Sequence, residues 1–169
     1  MIALVLGGTR SGKSEIAERI ASEFAEPVTF IATATVTDPE MAARIEAHRA
    51  RRPPTWRTIE CGDDLVSAVA GVDGTVLVDS LGAWVTRTPG MEVDAGRLVA
   101  ALEGRRDSSV LVSEEVGLSV HAPTEAGRRF TDALGTLNRA VADVADRVLL
   151  VVAGRVLPLP TPDQAPGPS

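Results

Sequence analysis

The sequence predicts an α/β fold of three layers, with helices covering both faces of a mostly parallel sheet. Two observations carry that expectation. Short apolar runs alternate with segments of helical spacing along the first 158 residues, the pattern of parallel strands joined by helical crossovers. A glycine-rich turn joins the first run to the first helical segment, where such sheets bind phosphate.

The first element is Ile2-Ala3-Leu4-Val5-Leu6, a continuous apolar run of the kind buried on both faces. Gly7-Gly8-Thr9-Arg10-Ser11-Gly12-Lys13-Ser14 follows and fits G-x-x-x-x-G-K-[ST]. Glycines let backbone N–H groups turn inward around phosphate oxygens, Lys13 reaches the β and γ phosphates, and the Ser14 hydroxyl is placed to hold Mg²⁺. Glu15 to Phe24 carries helical spacing, so a helix dipole points its positive end at the same spot.

Further strands are expected at Val28–Ala32, Trp56–Glu60, Thr75–Val78, Ser109–Val112 and Arg147–Val152, and helices at Pro39–Ala50, Asp63–Ala70, Val93–Arg105 and Glu125–Ala145. Ala153-Gly154 separates Val148–Val152 from Arg155–Leu157, which predicts a closing hairpin at one sheet edge. Residues 1–158 form one expected domain. From Pro158 the chain turns Pro-rich and polar, so 159–169 is expected to be a disordered tail.

The composition narrows the function. A net charge of −6 speaks against a nucleic-acid surface, which needs clustered Lys and Arg. The sequence has 16 arginines and a single lysine, and that lysine is Lys13. Cys61 is alone and forms no internal disulfide, and the sequence shows neither a signal peptide nor a membrane span, so the expected compartment is the cytoplasm.

Two further features bear on chemistry. The run Thr75-Val76-Leu77-Val78 ends in Asp79, where a phosphate-binding α/β protein places the carboxylate that orients Mg²⁺. The segment Thr37-Asp38-Pro39-Glu40 opens like a capped helix. On that helix Met41, Ile45 and His48 fall on one stripe, with Arg44, Arg51 and Arg52 nearby. By spacing alone His48 reads as packing, and the arginines as either a solvated face or a triphosphate clamp.

The ordered motifs carry a resemblance. They are the loop Gly7 to Ser14, Ile31-Ala32-Thr33-Ala34-Thr35, the run Asp38 through His48 to Pro53, and Trp56-Arg57-Thr58-Ile59-Glu60. Val78-Asp79-Ser80-Leu81, Glu115-Val116-Gly117, Gly127-Arg128-Arg129-Phe130 and Leu137-Asn138 follow in order. Together they resemble the bifunctional adenosylcobinamide kinase / adenosylcobinamide-phosphate guanylyltransferases of cobalamin biosynthesis.

The resemblance implies a RecA-like P-loop NTPase fold with two reactions. ATP or GTP phosphorylates adenosylcobinamide; GTP then donates GMP to adenosylcobinamide phosphate and releases pyrophosphate. It makes His48 the residue that carries the guanylyl group, and Thr33, Thr35, Arg51, Arg52, Glu60 and Asp79 candidates for holding the guanine nucleotide. It also implies a homo-oligomer, commonly a trimer. Two other readings remain at this point: a P-loop kinase of another small molecule, and a nucleotide-switched interaction module.

The chain departs from the family pattern in one loop. Where Asn-Glu-Val-Gly-x-Gly-x-Val-Pro is expected it has Glu114-Glu115-Val116-Gly117-Leu118-Ser119-Val120-His121-Ala122-Pro123. An amide becomes Glu114, a glycine becomes Ser119, and the loop is one residue longer. His121 reads as an exposed loop residue.

Overall fold

The computed structural model describes residues 1–34, 43, 45, 46, 49–118 and 122–164. Thr35, Arg44, His48, Ser119 and His121, most of the Pro39–Ala50 helix, and the tail from 165 lie outside the described residues. Seven strands form one sheet: β1 (Ile2–Gly7), β2 (Val28–Ala32), β3 (Arg57–Glu60), β4 (Thr75–Asp79), β5 (Ser109–Glu114), β6 (Arg147–Val152) and β7 (Arg155–Pro158). Their order is β3-β2-β4-β5-β1-β6-β7. All neighbours run parallel except β6 and β7, which pair as the expected antiparallel edge hairpin.

Alternation along each strand divides the core. In β1, Ile2, Leu4 and Leu6 face one layer, and Ala3 and Val5 face the other. The second face is covered by α1 (Lys13–Ser22) through Ile16, Ala17, Ile20 and Ala21, with Trp56 beside it. The first face is covered by α2 (Leu65–Ala70), α3 (Leu81–Arg87), α4 (Ala95–Glu103) and α5 (Glu125–Val144). Both faces of the central strands are therefore apolar, which is why these strands read as unbroken hydrophobic runs.

Boundaries shift where caps act. Asp64, Asp94 and Thr124 accept hydrogen bonds from the main-chain N–H groups of Ser67, Arg97 and Gly127, so α2 and α4 begin later than their hydrophobic spacing indicates. Helix α3 is absent from the sequence-based expectation. Leu81, Gly82, Trp84 and Val85 are all buried, so the segment lacks the polar stripe that marks an amphipathic helix. Its start is set by Ser80, whose hydroxyl accepts from the Ala83 N–H. After β7, the Leu159 N–H donates to the Val148 carbonyl, and Pro162–Gln164 make a single 3-10 turn.

Candidate functional site

The carboxyl ends of β1, β2, β3, β4 and β5 meet along one rim of the sheet, beside a cavity of about 710 Å³. Its wall includes Lys13 and Ser14 from α1, Asp79 and Ser80 from the end of β4, Glu114 from the end of β5, and Glu60 from the end of β3.

The phosphate loop has the backbone its motif requires. Gly12 caps α1 at φ 92 with no side-chain hydrogen bond, so first-turn N–H groups point into the loop. Gly7 is needed for space: a Cβ there would lie 2.5 Å from Ser11 Oγ and 2.7 Å from the Val151 carbonyl. The loop also leans on the edge hairpin, since the Gly154 N–H donates to the Ser11 carbonyl at 2.8 Å. Lys13 Nζ lies 3.2 Å from the Gly8 carbonyl and 3.5 Å from Glu114 Oε1. Thr9 and Arg10 are exposed at the loop's outer edge.

Beside the lysine, the Ser14 hydroxyl and the Asp79 carboxylate share the cavity wall. Burial pushes the Asp79 carboxyl above its ordinary value; the neighbouring Ser14 hydroxyl and the charges of Lys13 and Arg52 pull the other way. A hydroxyl and a carboxylate side by side next to a phosphate cradle form a hard oxygen donor set that suits Mg²⁺ completed by phosphate oxygens and water. Among the described residues no cluster of three or more His, Cys, Asp or Glu offers a self-sufficient metal cage.

The arginines divide into distinct roles. Arg52 lines the cavity, with its guanidinium 3.6 Å from the Phe30 ring centroid and Nη1 donating to Thr58 Oγ1. Arg51, grouped with it by sequence, instead pairs with the buried Glu18 of α1 at 3.4 Å. Two cations that sequence reasoning passed over, Arg49 and Arg87, line the cavity. Arg87 is fixed by donating to the Thr33 carbonyl and by pairing with Asp63. Thr33 is fully buried: its hydroxyl donates to the Ser80 carbonyl and accepts from the Ser80 N–H, both at 2.7 Å. It therefore ties the ends of β2 and β4 together and presents no surface to a ligand.

Glu114, flagged in the sequence only as a departure, stands at the centre. Its Oε2 accepts from Ser80 Oγ at 3.1 Å while Oε1 faces Lys13. Its own carbonyl is held by Asn138 Nδ2, and Asn138 Oδ1 accepts from Ser113 Oγ.

Residues 3–159 match the family described as cobinamide kinase / cobinamide phosphate guanyltransferase. The chain belongs to that family. A bifunctional adenosylcobalamin biosynthesis protein of Pseudomonas aeruginosa is 41% identical over 168 residues, which cover 92% of this chain and 95% of that one. Proteins of the same description from Salmonella typhimurium and Escherichia coli are 36% and 34% identical, each over 91% of this chain and 97% of their own. The chain is thus an enzyme of the cobinamide kinase / guanyltransferase family of cobalamin biosynthesis.

Solved structures bear out the P-loop ATPase fold. The flagellar accessory protein FlaH of Methanocaldococcus jannaschii superposes with a TM-score of 0.52 at 13% identity, over 92% of this chain and 74% of that one. A type III secretion system ATPase gives 0.53 at 10% identity, over 88% and 50%. Among the described residues no helix is long and apolar enough to cross a membrane.

Proposed function

We propose that this chain phosphorylates the aminopropanol hydroxyl of adenosylcobinamide with ATP or GTP and then converts the product to adenosylcobinamide-GDP with GTP. The observation that carries the reading is a cavity whose wall extends from the phosphate loop at Lys13 and Ser14 to Thr58 and Glu60 and includes Arg49, Arg52 and Arg87. Such a cavity offers one end to a triphosphate and cations along its length.

In the first reaction Lys13 and the α1 N-terminus hold the β and γ phosphates. Ser14 and Asp79 would hold Mg²⁺, which when bound neutralises charge on the phosphate oxygens. In the second reaction the imidazole of His48 attacks the α-phosphorus of GTP, a P–N bond forms and pyrophosphate leaves. An oxygen of adenosylcobinamide phosphate then attacks the same phosphorus, the P–N bond breaks, and the histidine is regenerated. His48 lies outside the described residues; support for its role is the family match, and of its described sequence neighbours Ile45, Arg49 and Arg52 line the cavity. Glu60, on the wall of that cavity, is suited to accept hydrogen bonds from a guanine edge or ribose.

Incubation with α-labelled GTP and Mg²⁺ is expected to leave GMP on the protein through a bond labile to acid and stable to alkali. His48→Ala is expected to abolish the adduct and guanylyl transfer while phosphorylation of adenosylcobinamide continues. Mapping the adduct to another residue, or full guanylyl transfer by His48→Ala, overturns the assignment.

A further inference from the structure

We propose that Glu114 is the proton acceptor for the hydroxyl phosphorylated in the kinase step. The proposal rests on the two-reaction reading above.

Four observations place the carboxylate. It closes β5, the strand between β4 and the loop-bearing β1. Its two oxygens are separately engaged, Oε2 by the Ser80 hydroxyl at 3.1 Å and Oε1 by Lys13 Nζ at 3.5 Å. Its side chain nevertheless keeps 30% of its surface and lines the cavity. Gly82 leaves room for it, since a Cβ there would collide with Glu114 Oε2. A carboxylate is thus fixed beside the ammonium group that reaches the β and γ phosphates, with a lone pair open to an incoming acceptor.

The other carboxylates on the cavity wall are less suited. Asp79 closes β4, one strand farther from the loop-bearing β1 than Glu114, and is the carboxylate that would hold Mg²⁺ with Ser14. Glu60 sits at the end of β3, the sheet edge farthest from β1 among the strands whose ends line the cavity.

The two reactions make different demands. A neutral hydroxyl must give up its proton as its oxygen bonds to phosphorus, whereas a phosphate monoester, with a second pKa of about 6, is already anionic when it attacks. Only the kinase step needs a base. In that step the hydroxyl oxygen bonds to the γ-phosphorus and the bond from γ-phosphorus to the bridging oxygen breaks. The nucleoside diphosphate departs, and the hydroxyl proton passes to a Glu114 oxygen, from which water removes it after product release.

The test measures two rates on the full chain: phosphorylation of adenosylcobinamide, and GMP transfer to preformed adenosylcobinamide phosphate. Glu114→Gln keeps the size and the Ser80 contact but cannot take a proton. It is expected to lower kcat of phosphorylation about a hundredfold with nucleotide KM nearly unchanged, and to lower guanylyl transfer at least tenfold less. Glu114→Asp, which retains a carboxylate, is expected to recover part of the kinase rate. Equal losses in both reactions would mean that Glu114 only orients Lys13 and would overturn the proposal. So would a loss confined to KM, a loss restored by raising Mg²⁺, or no loss at all. Absence of phosphorylation by the wild-type chain would instead overturn the reading of function, and the proposal with it.

Discussion

Lys13→Met isolates the charge of the phosphate loop from its shape, because methionine keeps most of the apolar stem while removing the ammonium group. The lysine side chain is 12% exposed, and its Nζ lies between the Gly8 carbonyl and Glu114 Oε1. A unit charge about 4 Å from a phosphate oxygen is worth about 4 kcal/mol at an effective dielectric constant near 20. Water entering the vacated space returns part of this, leaving about 3 kcal/mol of lost transition-state stabilisation. Turnover of the kinase step is therefore expected to fall roughly a hundredfold to two hundredfold.

The composition supplies a direct assay of the contact. Lys13 is the only lysine in the sequence, so reductive ¹³C-methylation labels this side chain and the amino terminus alone while leaving the positive charge in place. Saturating GTP or ATP is expected to move the lysine resonance, and Lys13→Met to erase it. Kinase turnover within fivefold of wild type, or a lysine resonance indifferent to nucleotide, would refute the phosphate-loop reasoning.

Two other predictions concern stability. The Arg105 guanidinium donates to the carbonyls of Val69, Val72 and Gly74, so Arg105→Met should cost about 3 kcal/mol by stranding these acceptors and lower Tm by roughly 6–12 °C; a calorimetric shift under 2 °C would disprove the clamp. Glu18 titrates above its ordinary value because burial outweighs the opposing charges of Arg51 and Arg52. A raised folded-state pKa adds stability below the unfolded value, and that contribution is lost as pH rises through the folded value. The Tm of wild type relative to Glu18→Gln should therefore fall as pH goes from about 4.5 toward neutral, and a difference independent of pH would contradict it.

Much of the site's phosphate end was legible in the sequence because it is contiguous. Gly7 to Ser14 build their cradle from successive backbone N–H groups and one helix terminus, so spacing along the chain is the geometry. Strands β1, β2, β4 and β5 were legible for a related reason: burial on both faces demands unbroken apolar runs. Helix α3 was hidden by the same physics, since a short helix buried nearly all round carries no stripe to betray its period.

What the tertiary structure alone decided is which separated residues meet. Adjacent positions in the arginine run part company: Arg51 turns to Glu18 on α1 and Arg52 to Phe30 and the cavity, a choice made by packing against α1 and β2. Thr33, a nucleotide-holding candidate by motif, lends its hydroxyl to the Ser80 main chain because β2 and β4 are neighbours in the sheet. Glu114 joins Lys13 and Ser80 because the order β4-β5-β1 sets three strand ends side by side. The sequence by itself determined the local phosphate cradle and the class of fold, since both depend on short-range periodicity and backbone chemistry. The tertiary structure decided the charge constellation around that cradle, because strand order and helix packing set distances between residues that no spacing along the chain encodes.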